Sequence, residues 1–277
     1  MRLARLSVLL CVFLLGVQVR GQQATNPQLN TAPQTVRDPQ AVSVLNQALG
    51  VAGGVTALSA IQDYTASGDV VYSSEQDGKG TVTVKGLGAT EFRMDANLPA
   101  GVRTLAVSNG AIVTKDEKGT ISSNIPNATA PSSDAFPYQT PLFPSSTAFP
   151  YRQLSAVVNN PRYSLIYKGI VETDGHSAHE IELQRIFPEA SSTGGFAIPP
   201  RTRDIFIDTT TFQVVKVSET LPKNTPHELH YSDYRPVSGV LMPFSIAEEI
   251  ANQQTWTIQL NQINFNAGLQ ASSFAIQ

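Results

Sequence analysis

Apolar and polar residues alternate with a period of two over most of the chain after Tyr64. Phe92 and Met94 alternate with charged neighbours, and so do Ile181 and Leu183 farther along. This period is typical of half-buried β-strands, because successive side chains of a strand point to opposite faces. The pattern therefore predicts strands with one apolar face and one polar face.

Turn signals separate these strands and leave short connections. Asp77-Gly78, Asn109-Gly110 and Asp174-Gly175 each lie between two alternating segments, as in β-hairpins. Thr255–Leu260 and Ile263–Phe265 close the series. The chain shows no βαβ alternation, so we predict a mainly β (α+β) fold. Its core is a curved antiparallel sheet, or half-open β-barrel, of about 11 or 12 strands.

Three segments have helical spacing instead. Asp38 is followed by a proline and then by apolar residues at helical intervals, which predicts a capped helix over Pro39–Ala52. Val55–Ile61 predicts a second short helix and Tyr151–Val158 a third.

The first 21 residues have the features of a secretory signal peptide. Arg2 and Arg5 precede an apolar run from Leu6 to Val19, which is too short to cross a bilayer core of about 30 Å as a helix. Cleavage is expected before Gln22. Residues 22–38 then form a polar, disordered leader, and 39–277 form a single β domain.

The net charge limits the kinds of partner, and the cysteine content indicates the compartment in which the protein folds. Removal of residues 1–21 leaves 16 basic and 22 acidic residues, a net charge of −6. That balance argues against nucleic acid or an anionic membrane as the primary partner. Cys11, the only cysteine, lies in the signal peptide, so the mature chain has no disulfide. These features favour an exported bacterial protein of the periplasm.

Residues 126–161 contain seven prolines, six of them within 126–150, together with many aromatic residues. A disordered linker would not need so many aromatic side chains, so we predict an ordered insertion that packs on the sheet as a lid.

The histidines form two pairs with a spacing of three, His176 with His179 and His227 with His230. On a strand this spacing points the two side chains to opposite faces, so neither pair can chelate a metal alone. A site shared between His179 and His230 stays open, but the prediction is that no metal is bound.

No catalytic residue and no cofactor is predicted. The chain lacks a Gly-x-Ser-x-Gly nucleophile elbow. Gly86-Leu87-Gly88 lacks the third glycine of a dinucleotide loop and predicts a turn or bulge. Asp204 and Asp208 flank one strand and its turn and do not form a carboxylate pair.

The order of elements and the last third of the chain resemble the outer-membrane lipoprotein carrier and receptor family, the LolA/LolB-like fold. The resemblance is carried by Arg203–Asp208 leading into Phe212–Val217, by Tyr231–Arg235 followed by Gly239, Pro243 and Phe244, by Ile263–Asn266, and by Ser273-Phe274. It implies a half-open β-barrel capped by helices, and a carrier of lipids or lipoproteins.

The leading hypothesis is a non-enzymatic periplasmic carrier or binder of an apolar ligand, either a lipid or a lipoprotein acyl chain. The candidate ligand-facing residues are Phe92, Met94, Phe136, Tyr138, Phe143, Phe149 and Trp256. The alternatives are a structural or protein-interaction module of the cell envelope, and a hydrolase. A carrier requires an apolar cavity, an interaction module an exposed patch, and a hydrolase convergent titratable groups.

The export hypothesis predicts a new N-terminus. Because Arg2 and Arg5 precede a short apolar run, protein recovered after normal expression should begin near Gln22. N-terminal sequencing of the purified protein measures this directly. An intact Met1 on the exported protein would contradict the prediction.

Overall fold

The computed structural model describes residues 35–73, 78–88, 91–108, 111–124, 148–185, 201–221 and 224–276. All of them lie in one compact unit, Ala32–Gln277. The predicted signal peptide and most of the predicted leader lie outside the described residues, as do Phe136, Tyr138 and Phe143. Their assignments stay predictions.

The helices lie close to the predicted positions. Helix α1 spans Pro39–Val51, α2 spans Gly54–Ser59, and α3 spans Pro150–Val158. The Asp38 carboxylate accepts a hydrogen bond from the backbone amide two residues later, which caps α1 as the sequence predicted. Among the described residues, no helix is both long and apolar enough to cross a membrane.

The rest of the described chain is dominated by thirteen strands. They are β1 (Asp63–Tyr72), β2 (Lys79–Leu87), β3 (Glu91–Leu98), β4 (Gly101–Ser108), β5 (Ala111–Lys115), β6 (Ile121–Asn124), β7 (Tyr163–Thr173), β8 (His176–Arg185), β9 (Arg201–Asp208), β10 (Val214–Leu221), β11 (Thr225–Val237), β12 (Val240–Ile250) and β13 (Gln253–Phe265).

All thirteen strands pair into one antiparallel sheet, in the order β6-β5-β4-β3-β2-β1-β13-β12-β11-β10-β9-β8-β7. The first and last strands of the chain are neighbours in the middle, and the order runs outward from them through hairpins to β6 and β7 at the edges. The sheet is curved and does not close. The predicted fold class is confirmed.

The thirteen strands differ from the predicted 11 or 12 in two places, one of which removes a strand and one of which adds one. Thr255–Leu260 and Ile263–Phe265 are parts of one strand, β13. The register of β13 against β1 shifts at Asn261. Leu260 and Ile263 are therefore both buried although they are three residues apart, and this spacing interrupts the alternation in the sequence. The other place is β6, a short edge strand with a single apolar residue, which the pattern missed.

Two local predictions near turns need correction. The turn predicted at Gly86-Leu87-Gly88 is present at Gly88, which follows β2 with φ +55°, but Gly86 lies inside β2, where a Cβ would overlap the ring of Tyr64. Strand β10 begins at Val214, not at Phe212, because Phe212 adopts a left-handed backbone with φ +55° at the end of the turn. The Asp208 carboxylate holds that turn by accepting hydrogen bonds from the backbone amides of Thr210 and Thr211.

The helices cover one face of the sheet, which we call the inner face. Buried residues of α1 (Ala41, Val44, Leu45, Ala48 and Leu49) and of α3 (Tyr151, Leu154, Val157 and Val158) belong to the same apolar cluster as the inward side chains of the strands. Phe149, just before α3, is fully buried. Its ring meets Tyr64 edge-on and stacks on Phe265, with centroids 6.1 and 5.8 Å apart.

The start of the described chain is bonded to the edge strand β7. The Asp38 amide donates to the Leu165 carbonyl, and the Leu165 amide donates to the Val36 carbonyl, at 2.9 and 2.8 Å. The Arg37 guanidinium donates to backbone carbonyls at the end of α3 and the start of β7. The described end of the predicted leader therefore packs against the domain.

Some side chains of the β7–β8 hairpin pack on the side of the sheet that the helices do not cover, which we call the outer face. Val171 and Ala178 pack with Phe206 and Val215 in a small separate cluster. The register of β7 shifts between Tyr167 and Gly169, and such a shift bends a strand.

The inner and outer faces of β8 predict unequal effects of mutation. Leu183 is 1% exposed on the inner face, whereas Glu182 is one of three carboxylates around Lys168 on the outer face. Leu183→Asp should lower the free energy of unfolding by several kcal/mol, because it buries an unpaired charge. Glu182→Gln should change it by about 0.5 kcal/mol or less. Urea unfolding of the two variants measures the difference, and equal effects would mean that the face assignment is wrong.

Candidate functional site

A groove of about 550 Å³ opens on the inner face of the sheet. Its apolar lining consists of Tyr72, Met94, Leu105 and Trp256. Tyr72 pairs directly with Trp256 across β1 and β13, and Met94 pairs with Leu105 across β3 and β4. The apolar surface thus comes from two cross-strand pairs with strand β2 between them.

The rim of the groove is charged. The Arg103 guanidinium lies 4.3 Å from the centroid of the Tyr72 ring, a cation–π contact, and it forms an ion pair with Glu117. Lys115 and the acidic residue Asp116 line the groove as well, and Glu248 lies on the opposite wall beside Trp256. The groove therefore joins an apolar floor to a mouth that carries charges of both signs.

The structure divides the described candidate residues into two groups. Met94 and Trp256, both 6% exposed, line the groove. Phe92 and Phe149 are 2% and 0% exposed and belong to the apolar core. A role for any of these residues in ligand binding stays a prediction.

A chain of buried and partly buried polar groups starts at Glu248 and crosses the inner face beyond the groove. One oxygen of Glu248 contacts His227 Nε2 at 3.0 Å, and the other accepts a hydrogen bond from Thr255 Oγ1. His227 Nδ1 contacts Glu219 at 3.1 Å, and Glu219 accepts from Arg203 at 2.8 Å. Four strands thus contribute one ionisable group each to a single network.

The network changes the protonation of its members. Burial opposes the charged form of His227, but the hydrogen bonds and charges of Glu219 and Glu248 outweigh it and raise the pKa of His227 to about 9. Burial also opposes ionisation of Glu219, yet Arg203 and His227 hold the pKa of that carboxyl well below its usual range. At neutral pH His227 is therefore a cation between two carboxylates, with both ring nitrogens engaged.

The other histidines do not form the shared sites considered from the sequence. His179 Nδ1 lies 2.9 Å from the Tyr167 hydroxyl, and His176 Nδ1 lies 2.9 Å from Asp208. His230 Nδ1 lies 2.7 Å from Asp174. His179 is two residues from Ile181 and therefore shares the inner face. His230 is adjacent to inner-face Leu229 and therefore lies on the outer face, so the two histidines are on opposite sides of the sheet.

Another groove, of about 470 Å³, lies where the C-terminal residues cross β2 to β5. Three cationic side chains, Lys85, Arg93 and Lys115, line it. Arg93 binds Asp95 and donates to the Ala275 carbonyl at 2.6 Å, which ties the end of the chain to the sheet. This second groove is lined by basic side chains, whereas the groove on the inner face has an apolar floor.

Comparison with known proteins supports the fold. No protein-family model matches the sequence, and no curated protein matches it. A solved LolA superfamily protein from Nitrosomonas europaea is similar, with a TM-score of 0.50 and 11% identity over 85% of this chain and 97% of that one. The chain has a LolA-like fold.

Two further structures resemble this LolA-like chain less. A domain assigned to outer membrane lipoprotein sorting, from Vibrio parahaemolyticus, has a TM-score of 0.48 and 10% identity, over 85% of this chain and 96% of that one. A DUF1329 family protein from Desulfovibrio piger has a TM-score of 0.42 and 10% identity, over 87% and 98%.

Several groove residues were not identified from the sequence. Tyr72 and Leu105 follow the same alternation as Met94, so the pattern marked their faces but not their position beside the groove. Arg103 and Glu248 lie on the inner face amid apolar residues, and a charge at an inward position was the available signal. Their partners lie on other strands and turns, so alternation alone could not predict the network.

The raised pKa of His227 predicts a pH dependence of stability. The folded pKa lies above the ordinary value, so the stabilisation is fully present below pH 6.5 and is lost as the pH rises through about 9. The free energy of unfolding should fall by about 2–3 kcal/mol over this window. Urea titrations at pH 6.5 and pH 9 measure it.

His227→Gln should remove that dependence, whereas His176→Gln, at a side chain that is 48% exposed, should retain it. A His227→Gln protein with the same pH dependence as the wild type would contradict the assignment.

Proposed function

We propose that this protein is a non-enzymatic carrier or binder of an apolar ligand, exported to the periplasm. The observation that carries the proposal is the groove, whose apolar floor of Tyr72, Met94, Leu105 and Trp256 lies on the inner face of a LolA-like sheet. Its volume falls within the range of about 300–1,000 Å³ that is usual for small-molecule sites.

The rim narrows the ligand class. An amphiphile with one acyl chain would place that chain against Met94 and Leu105 and its head group near Arg103 and Lys115. Because a fully apolar ligand gains nothing from a charged rim, we propose a lipid with a charged head group or the acyl chain of a lipoprotein. Such ligands are what the LolA/LolB-like resemblance implies.

The inner-face network argues for binding rather than catalysis. A general base must have a free nitrogen near the group that it deprotonates. Both His227 nitrogens contact carboxylates, and its raised pKa keeps the ring protonated at neutral pH. His227 therefore serves as a structural cation.

Residues 126–161 are proposed to cover the groove. Of this segment, α3 packs in the core of the domain, and the aromatic residues Phe136, Tyr138 and Phe143 lie outside the described residues. Phe149 is unsuitable for testing a lid, because truncating a fully buried phenylalanine costs about 3–5 kcal/mol of stability. Phe143→Ala is the appropriate variant, and it should weaken binding while the protein stays folded.

Trp256 provides a direct test of ligand binding, since it is the only tryptophan in the chain. Bromine quenches tryptophan fluorescence on contact, so dibromostearic acid should quench Trp256 saturably. Stearic acid should compete without quenching. The methyl ester of dibromostearic acid should bind more weakly, because it lacks the carboxylate that could pair with Arg103 or Lys115.

Two variants on one strand serve as a matched pair. Leu105→Glu places a charge on the groove floor and should weaken binding at least tenfold, by analogy with burial of an unpaired charge. Val102→Glu changes a side chain of the same strand that is 47% exposed and outside this groove, and it should leave binding unchanged. If dibromostearic acid does not quench the wild-type protein, the carrier proposal fails and the interaction-module hypothesis is favoured.

A further inference from the structure

Three potential metal ligands meet on the outer face of β11 and β12. Glu228 and Glu249 are direct cross-strand partners, and His230 follows Glu228 by two residues on the same face of β11. One ligand atom from each of the three residues lies within 4.8 Å of the other two. All three side chains are partly buried.

Asp174 orients the histidine. It lies at the tip of the β7–β8 hairpin, and its carboxylate is 2.7 Å from His230 Nδ1. Because an ionised carboxylate only accepts hydrogen bonds, Nδ1 carries the proton and the neutral ring has its lone pair on Nε2. An acid that fixes the second ring nitrogen in this way is the usual support of a metal-binding histidine.

The free side of the ring points at the carboxylates. His230 Nε2 is buried, has no hydrogen-bond partner among the described residues, and lies 3.5 Å from Glu228 Oε2. Two ligands of a tetrahedral zinc ion, with bonds of about 2.0–2.2 Å, are separated by about 3.3–3.5 Å. The observed separation fits two ligands of one ion better than a hydrogen bond.

The local charge favours a cation. Two carboxylates directly opposite each other on adjacent strands repel, and Asp174 adds a third acid nearby. Among the described residues, Lys216 is the ammonium that reaches this group, and it lies 3.4 Å from Glu228 Oε1 while stacking on Phe206. Oε2 of Glu228 remains on the histidine side.

We propose that Glu228, His230 and Glu249 bind a divalent transition-metal ion, with Zn²⁺ as the first candidate. One imidazole and two carboxylates suit zinc, manganese or iron, whereas calcium sites use oxygen ligands alone. The site is independent of the apolar groove, which lies on the inner face. Because Asp174 belongs to the β7–β8 hairpin, the bound ion would also fasten that hairpin to β11.

The test is calorimetric titration of the purified, EDTA-treated protein with ZnCl₂, without a polyhistidine tag. The wild type should bind one equivalent, and Zn²⁺ should raise its melting temperature. His230→Gln and Glu249→Gln should each weaken binding at least tenfold. His176→Gln is the matched control, because it removes another histidine that contacts a carboxylate. It should leave the zinc affinity and the stoichiometry unchanged.

Asp174→Asn tests the positioning role separately. It should weaken zinc binding about 10–100-fold, and Co²⁺ should still give visible absorption of the same shape as in the wild type, because the three ligands remain. Circular dichroism verifies that each variant is folded. Equal affinity of the wild type, His230→Gln and Glu249→Gln, or no binding by the folded wild type, would overturn the proposal.

Discussion

An unclosed sheet that is apolar on one face must have that face covered, and this constraint determines most of the architecture. Strands β6 and β7 are edges, so the sheet cannot bury its inner face by closing on itself. Helices α1 and α3 cover it instead, and Phe149 fills the space between Tyr64 and Phe265. The Arg37 contacts to α3 and β7 then fix the N-terminal end of the domain to the edge strand. A groove is present on the part of the inner face that includes Met94 and Trp256.

Charged residues on the same inner face are tolerated because they are paired. Arg203 and Glu219, 4% and 8% exposed, form an ion pair that His227 and Glu248 extend toward the groove. Removing one partner would leave an uncompensated buried charge, which is far more costly than the intact network. The network also aligns four strands, since each contributes a group whose hydrogen bonds depend on the register of its neighbour.

Local patterns predicted much of the fold. The alternation around Phe92 and Ile181 identified the strand faces, and Asp38 identified the start of α1. The errors occurred where a local rule gave way to tertiary structure. The register shift at Asn261 lies inside β13, which the alternation had divided into two strands. The ring of Tyr64 leaves no room for a Cβ at Gly86, which had suggested a turn. For the candidate site, Met94 and Trp256 were named from the sequence, but the roles of Arg103 and Glu248 depend on side-chain contacts with other strands and turns, which the alternation does not reveal.

The histidines show why spacing alone was insufficient. A spacing of three on a strand correctly argued against chelation by His227 and His230 together, since these side chains lie on opposite faces. The same rule places residues two apart on one face, and Glu228 and His230 have that spacing. Strand pairing then supplies Glu249, and the β7–β8 hairpin supplies Asp174.

Glu248 and Glu249 are adjacent in β12, where the register against β13 shifts. Glu248 joins the His227 network beside the groove, whereas Glu249 belongs to the cluster on the outer face. A strand can therefore carry ionisable side chains of two separate clusters on consecutive residues, because the sheet keeps its two faces apart.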